Sequence, residues 1–373
     1  MAGAELRVGM IGTGRWAKMA HLPGWTRDSR VEVVAVCDQD EAVAGAVADE
    51  FGVRERTTDH RRVLERDDID VIDIVTGDSG HFELTMAALE AGKHVLVEKP
   101  VAHDFRDTLR ARDLAASKNL KTKVGFTFRY SPAIRYMREL IEEGWLGTPY
   151  IYNAYEQNSQ WIKPETPLRQ VPSDLDGHRI RVSSLEGYGA PVIDLGHWFL
   201  DADLTSVVGV LRNFVPERMI RETGTMMRAN IDDGDIFIGE FVGGAICSVQ
   251  SSFVTVGNYP GIEVRVYGSE GALIAKLVEE FGVMETLKGA KPDAVEFVDL
   301  DVPQRLFPEG GDVHEPWPRL YYSNLTANFV DEILEGGDKN EGNFGDAAWV
   351  QEVINAVEQS HHARGWVDLP LPR

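Results

Sequence analysis

Residues 6–17 read LRVGMIGTGRWA: an apolar run at 6–11, a glycine turn at Gly12-Thr13-Gly14, and a helical pattern from about Arg15. Strand, G-x-G-x-x-A turn and helix in direct succession describe a crossover that starts a parallel sheet. The chain beyond repeats that alternation. VEVVAVC at 31–37 is a second buried strand, followed by a helix at 41–51 with Val43, Val47 and Phe51 at helical spacing. VIDIV at 71–75 is a third strand, 81–91 a helix, and 94–97 a fourth strand that closes on Glu98-Lys99-Pro100. A helix at 104–117 and a strand at 121–128 complete the pattern. Short strands separated by helices of this length predict a doubly wound α/β domain with right-handed crossovers over residues 1–125.

After Pro132 the texture changes. A helix is expected at 133–144, and then longer β-rich segments at 150–158, 206–215, 236–241, 245–253 and 262–267, with helices only at about 191–200, 320–334 and 346–363. Long strands with few helices between them predict an α+β domain at 126–373 with a large, mostly antiparallel open sheet. The tract 161–184, rich in Pro, Arg and Asp, reads as a loop over a site or, equally, as an inserted segment.

The chain has 38 basic and 60 acidic residues in 373, a formal charge of −22. Such a surface repels phosphate backbones and anionic lipid, so neither nucleic acid nor membrane is an expected partner. No apolar run reaches the roughly 18 residues of a membrane span. The N-terminus lacks the charged-then-apolar layout of a signal peptide, and Cys37 and Cys247 match no disulfide or metal spacing. Together these point to a cytoplasmic protein.

In the turn, Gly12 permits the tight bend, Gly14 admits a pyrophosphate to the backbone, and Ala17 keeps helix and strand close. The helix N-terminus offers N–H groups and a positive dipole end to phosphate. Asp38 ends the second strand, 26 residues past Gly12, where an acid grips the ribose hydroxyls. A carboxylate there repels a 2′-phosphate, and Gln39 and Asp40 supply no compensating base, so NAD is the expected cofactor. Thr13, Arg15, Trp16, Thr76, His81, Glu98 and Lys99 complete the expected cofactor-binding set, with simple helix capping the alternative for Thr76 and His81. Lys99 stands at the carboxyl edge of the sheet, where ligands bind in such folds, beside a proline that stiffens it. No HExxH, Cys cluster or paired-carboxylate spacing signals a metal.

The glycine turn, GKHVLVEKP, the Ser131-Pro132 continuation after Arg129, VYGSEGAL at 266–273 and the terminal ARGWVDLP resemble the Gfo/Idh/MocA family of sugar and inositol oxidoreductases. The likeness spans essentially the whole chain. It implies a Rossmann domain, a second domain whose open sheet often forms an oligomer interface (dimer or tetramer), and Lys99 as the catalytic lysine. It also implies Asp194 and a following histidine as its companions. Here the histidine comes three residues after the aspartate, at His197, and Trp198 occupies the usual position. On a helix i+3 and i+4 share a face, so His197 reaches the same site, or Trp198 supplies a stacking wall for a sugar.

The resemblance implies hydride transfer between NAD and a secondary alcohol of a sugar, sugar derivative or cyclic polyol. Arg129, Tyr130, Tyr155, Arg169, His178, Arg181 and Trp198 are candidate substrate contacts, and the arginines would suit an anionic sugar. An alternative is a redox glycosidase with recycled NAD, for which Tyr130, Tyr155, His178, Tyr188 or His197 would serve as a second base. A dinucleotide sensor without turnover is a third reading, against which the intact Glu98-Lys99-Pro100 counts.

Overall fold

The computed structural model describes residues 5–168, 180–221, 223–257, 261–277, 285–336 and 341–373, so the expectations for Arg169 and His178 fall outside the described residues. The chain forms two compact units, residues 1–132 with 304–351, and 133–303 with 352–373.

The first unit alternates strands and helices: β1 (Leu6–Ile11), α1 (Leu22–Arg27), β2 (Val31–Cys37), α2 (Glu41–Phe51), β3 (Glu55–Thr57), α3 (His60–Leu64), β4 (Val71–Ile74), α4 (His81–Glu90), β5 (His94–Val97), α5 (Phe105–Ser117) and β6 (Thr122–Val124). The six strands pair in parallel in the order β3-β2-β1-β4-β5-β6. This is the Rossmann order, and its strand order reverses between β1 and β4, so the ligand crevice lies outside their carboxyl ends. Val8, Met10, Val36, Val71, Ile72, Ile74 and Val95 to Val97 are fully buried, as a sheet covered on both faces requires. Asp40, Asp59 and Asp104 cap α2, α3 and α5 by accepting first-turn N–H groups.

The second unit contains α6 (Pro132–Glu142), β7 (Pro149–Gln157), α7 (Ala190–Leu200), β8 (Leu204–Arg212), β9 (Glu217–Ile220), β10 (Thr225–Arg228), β11 (Gly234–Phe241), β12 (Ile246–Ser252), β13 (Gly261–Gly268), β14 (Ala272–Leu277), β15 (Glu285–Ala290) and β16 (Val298–Asp299). After these come α8 (Trp317–Glu335), α9 (Phe344–Ala363) and β17 (Val367–Asp368). Nine strands form one sheet, β16-β15-β14-β13-β7-β12-β11-β8-β17, antiparallel at every pairing but β7–β12. One face carries Tyr152, Ala154, Phe237, Val249 and Val264, all buried. α7 lies against that face so closely that a Cβ on Gly196 would sit 2.7 Å from the Tyr152 ring. The opposite face exposes Ile151, Val210, Ile236, Ile238 and Ile246. Among the described residues no helix is long and apolar enough to cross a membrane.

Residues 304–351, placed by sequence order in the second domain, join the first unit through specific polar ties. Arg27 pairs with Glu315 at 2.8 Å and Arg30 with Asp331 at 2.7 Å. Val124 donates to the Gly342 carbonyl at 2.7 Å, extending the sheet edge beyond β6. Lys123, fully buried, donates to Glu332 Oε1 at 2.6 Å, Asn328 Oδ1 at 2.8 Å and the Glu341 carbonyl at 2.6 Å. Burial pushes this amine down to about 8 despite Glu332, so each partner depends on the other to offset its desolvation. Lys123→Met should therefore lower the unfolding free energy by about 3–5 kcal/mol, because Glu332 stays buried without its cation. Urea titration should find that Lys123→Met combined with Glu332→Leu recovers most of that loss.

Candidate functional site

The carboxyl edge of the parallel sheet gathers Gly12-Thr13-Gly14 after β1, Asp38 after β2, Thr76 after β4 and Glu98-Lys99 after β5. Gly12 has φ +94°, and a Cβ there would lie 2.6 Å from the Val75 carbonyl carbon and oxygen. Only glycine lets β1 turn this close to the end of β4. A Cβ on Gly14 would meet nothing within 4 Å, which leaves the backbone open to a phosphate. Asp38 accepts from Thr13 N at 2.9 Å and Thr13 Oγ1 at 3.1 Å through one oxygen, and from Asp40 N at 3.1 Å through the other. Thr13 is itself fully buried, and its amide and hydroxyl orient Asp38. Glycine cradle and aimed carboxylate fit a dinucleotide with a free ribose 2′-hydroxyl. Arg15 is exposed beside the turn.

The helix after the turn is not regular. Ala17–His21 forms a wide turn in which Leu22 N bonds Ala17 O, an i→i−5 bond. Pro23, with no N–H to give and a ring that crowds the carbonyl four residues back, accounts for the break. The widened turn brings His21 and Trp25 onto one buried side. There Asp73, at the centre of β4 and fully buried, accepts from His21 Nδ1 at 2.9 Å and Trp25 Nε1 at 2.7 Å. The other imidazole nitrogen, Nε2, lies 3.2 Å from Glu98 Oε1. That same oxygen accepts from Trp16 Nε1 at 2.9 Å and from the Tyr322 hydroxyl. Glu98 Oε2 faces the Lys99 amide N–H at 3.3 Å. Burial would lift the Glu98 carboxyl, but the His21 bond and charge, the Tyr322 hydroxyl and Lys99 together hold it down to about 2. Burial would lower His21, but Asp73 and Glu98 raise it to about 9.

Trp16, expected on the cofactor, is instead committed to Glu98 and packs its ring near Trp317 and Tyr322, at 5.5 and 5.8 Å. His81, buried, sets Nδ1 2.8 Å from the Pro100 carbonyl and Nε2 3.2 Å from the Thr76 carbonyl, stapling two edge loops together. Thr76 turns its hydroxyl to the Gly77 carbonyl at 3.1 Å.

Several substrate expectations are corrected by side-chain direction. Arg129 is buried against Asp346 at 3.3 Å. Tyr130 is fully buried with its hydroxyl donating to the Glu341 carbonyl at 3.1 Å. Both serve the packing of the first unit. Tyr155 alternates with the buried Tyr152, Ala154 and Glu156, so it points to the sheet face away from α7, where it donates to Glu263 at 3.2 Å. The half-buried Trp198 ring carries the guanidinium groups of Arg135 and Arg138, at 5.9 and 5.6 Å.

In the second unit Asp194 is buried on α7. His197, three residues on, sets Nε2 3.1 Å from Asp203. Arg181 is half-buried and pairs its backbone with Asn230 and Asp232. Lys99 belongs to the first unit and Asp194 and His197 to the second. Cys37 and Cys247 are buried free thiols that burial pushes up to about 11 and about 12, unsuited to nucleophilic work.

Sequence reasoning passed over His21, Trp25, Asp73, Gly125 and Tyr322. One signal was present: VIDIV places a carboxylate inside a strand buried on both faces, which demands a partner. Gly125 is required because a Cβ there would press on Glu98 Oε1 at 2.5 Å.

The model of the Gfo/Idh/MocA oxidoreductase family, described by its NAD-binding Rossmann fold, matches residues 6–126, and that of the Gfo/Idh/MocA C-terminal domain matches 134–274. A levoglucosan dehydrogenase of Pseudarthrobacter phenanthrenivorans is 25% identical over 395 residues, 98% of each chain. Inositol 2-dehydrogenase 3 of Saccharopolyspora erythraea is 30% identical over 272 residues, 72% of each. The crystal structure of an oxidoreductase domain protein from Kribbella flavida superposes with a TM-score of 0.87 at 29% identity, covering 99% of this chain and 100% of that one. NAD is thus the cofactor that fits both the match over 6–126 and the edge geometry. Asp38→Ala should weaken NAD roughly ten- to a hundredfold, the loss of a charged hydrogen bond. Titration with both dinucleotides should find the preference over NADP abolished.

Proposed function

Because the chain belongs to the Gfo/Idh/MocA family of oxidoreductases, we propose that it oxidises a secondary alcohol of a sugar, sugar derivative or cyclic polyol with NAD, and runs the reverse reduction. The observation that carries this reading is Lys99 at the end of β5, on the same sheet edge as the dinucleotide turn, with its neighbour Glu98 immobilised by three donors. Similarity to a levoglucosan dehydrogenase and an inositol 2-dehydrogenase favours cyclic, polyhydroxylated substrates.

When bound, NAD supplies a hydride acceptor. The chain's own work is to bind the alcohol, to hold its carbinol hydrogen toward the nicotinamide face, and to take the hydroxyl proton. Lys99 is the proton acceptor in this reading, and returns the proton in the reductive direction. Asp194 and His197 orient the substrate hydroxyls, with Asp203 fixing the His197 ring through its 3.1 Å contact. Residues 1–125 carry the dinucleotide and 126–373 the substrate, with 304–351 packing back on the first unit.

Redox-neutral glycoside cleavage needs a second base beside Lys99. Among the described candidates Tyr130 is sealed in packing, Tyr155 faces away from α7, Tyr188 donates to Gln160 at 2.8 Å, and His197 engages Asp203. None favours that alternative over the dehydrogenase.

The open sheet face aligns Val210 with Ile236, Val208 with Ile238, and Ile246 with Ile151 in adjacent rows. We assign this face to self-association into a dimer or tetramer in the cytoplasm. Light scattering should find a multimer for the native chain, and Ile238→Glu, which places a charge in the middle row, should reduce it to the single-chain mass.

With a panel of inositols and anhydrosugars, NADH absorbance should rise in step with ketone formed. Lys99→Ala should lower kcat by roughly 10²- to 10⁴-fold with NAD affinity little changed. Lys99→Arg should fail as well, since arginine does not release its proton. Unchanged turnover in either variant would remove Lys99 from the chemistry.

A further inference from the structure

We propose that His21 is a positioning residue of the reaction: as an imidazolium bridging Asp73 and Glu98, it locks the helix after the dinucleotide turn to the strand end that carries Lys99. The inference rests on the assignment of Lys99 as proton acceptor.

The geometry demands the charge. A neutral imidazole has one N–H, yet both ring nitrogens of the fully buried His21 face carboxylate oxygens, at 2.9 and 3.2 Å. With only one proton, the second nitrogen would turn a lone pair on a carboxylate where water cannot intervene. Doubly protonated, the ring donates to both. The other groups packed on it are neutral donors or a ring. Trp25 donates to Asp73, Trp16 donates to Glu98, and the Tyr322 ring lies 4.1 Å from the imidazole with its hydroxyl on Glu98. Lys99 supplies the remaining charge that acts on Glu98. His21 thus bridges the two carboxyl groups through both ring nitrogens.

Three consequences follow for the site. Glu98 Oε1 is saturated by three donors, so the carboxylate stays ionised and does not take up the proton that Lys99 must handle. Its other oxygen meets the Lys99 backbone N–H, so any shift of the ring is passed to the residue that does the chemistry. Because Trp16 and His21 both lie in the helix of the dinucleotide turn, the turn and the β5 end move as one body.

Since His21 is raised to about 9 from its ordinary 6.5, the charged bridge persists in the folded chain until pH rises through about 9, while the stability it contributes is full below about pH 6.5 and declines from there to about 9. The test compares native chain with His21→Gln, which keeps one donor and no charge. In the native protein melting temperature should decline from about pH 6.5 to about 9 and NAD affinity should fall through about pH 9, and in His21→Gln both changes should be absent. At neutral pH the variant should bind NAD roughly tenfold more weakly. Its kcat should fall by roughly tenfold or more with KM for the polyol little changed, a split that general destabilisation would not produce. Native affinity, turnover and alkaline profile in His21→Gln would overturn the proposal.

Should that variant fail to fold, carbon-13 histidine NMR of the native chain decides. One imidazole should remain protonated from about pH 6 to about pH 8 and titrate near 9, whereas ten histidines all titrating near or below 6.5 would overturn the bridge. NAD binding, melting and NMR require no sugar. A native enzyme that oxidises none of the panel would refute the substrate reading, and these three measurements would still decide the role of His21.

Discussion

A carboxylate inside a parallel sheet sets the terms for the first unit. Asp73 stands at the centre of β4 with its neighbours Val71, Ile72 and Ile74 all buried, and an isolated charge there would cost several kcal/mol. Two donors one helical turn apart, His21 and Trp25, answer it. Because His21 has a second nitrogen, satisfying Asp73 also extends the chain of charge to Glu98, and through Glu98 to Trp16, Tyr322 and the Lys99 amide. The wide turn at Ala17–His21, the proline that forces it and the glycine at 125 that leaves room for Glu98 all serve that one constraint.

Charge is placed along the sheet edge by the same logic. After β2, Asp38 is held by the amide and hydroxyl of Thr13, so one N–H of the phosphate-binding turn is given over to aiming the ribose-binding acid. After β5, Glu98 is an anion by construction and Lys99 its neighbour. Between them His81 ties the loops after β4 and β5 through the Thr76 and Pro100 carbonyls. In a chain of charge −22 these local arrangements, and not the net charge, decide what the edge receives.

What the sequence made legible was local. The strand–turn–helix at 6–17, the acid closing 31–38 and the strand ending in Glu98-Lys99-Pro100 are runs in which apolar period and turn chemistry lie side by side. The parallel sheet and the dinucleotide turn follow from them, and the larger open sheet from the long β-rich runs after 150. The short edge strand β3, read E-R-T, has no apolar pattern to betray it. The return of 304–351 to the first unit depends on pairs such as Lys123–Glu332, 209 residues apart, which no local period encodes. Direction was the other blind spot: Tyr130 and Tyr155 were expected near substrate on residue type, but burial closes one and the two-residue alternation of β7 turns the other outward. Asp73 was visible as an anomaly, its partner 52 residues away was not.

A purely apolar cluster in place of Asp73, His21 and Glu98 would fill the same volume, and replacements of this kind are commonly neutral or stabilising by about 1–4 kcal/mol. Stability alone therefore gives no account of the ionic arrangement. An apolar cluster would still pack α1 on the sheet, since Trp25 and Tyr322 are buried regardless. It would not hold a carboxylate at about 2 next to Lys99, nor fix the distance between the dinucleotide turn and the end of β5 through directed bonds. Hydrogen bonds to charged groups are stiff in angle as well as length, whereas apolar contacts slide. The ionic arrangement stands where the dinucleotide turn and the end of β5 must keep register, and that location is the physical argument for its purpose.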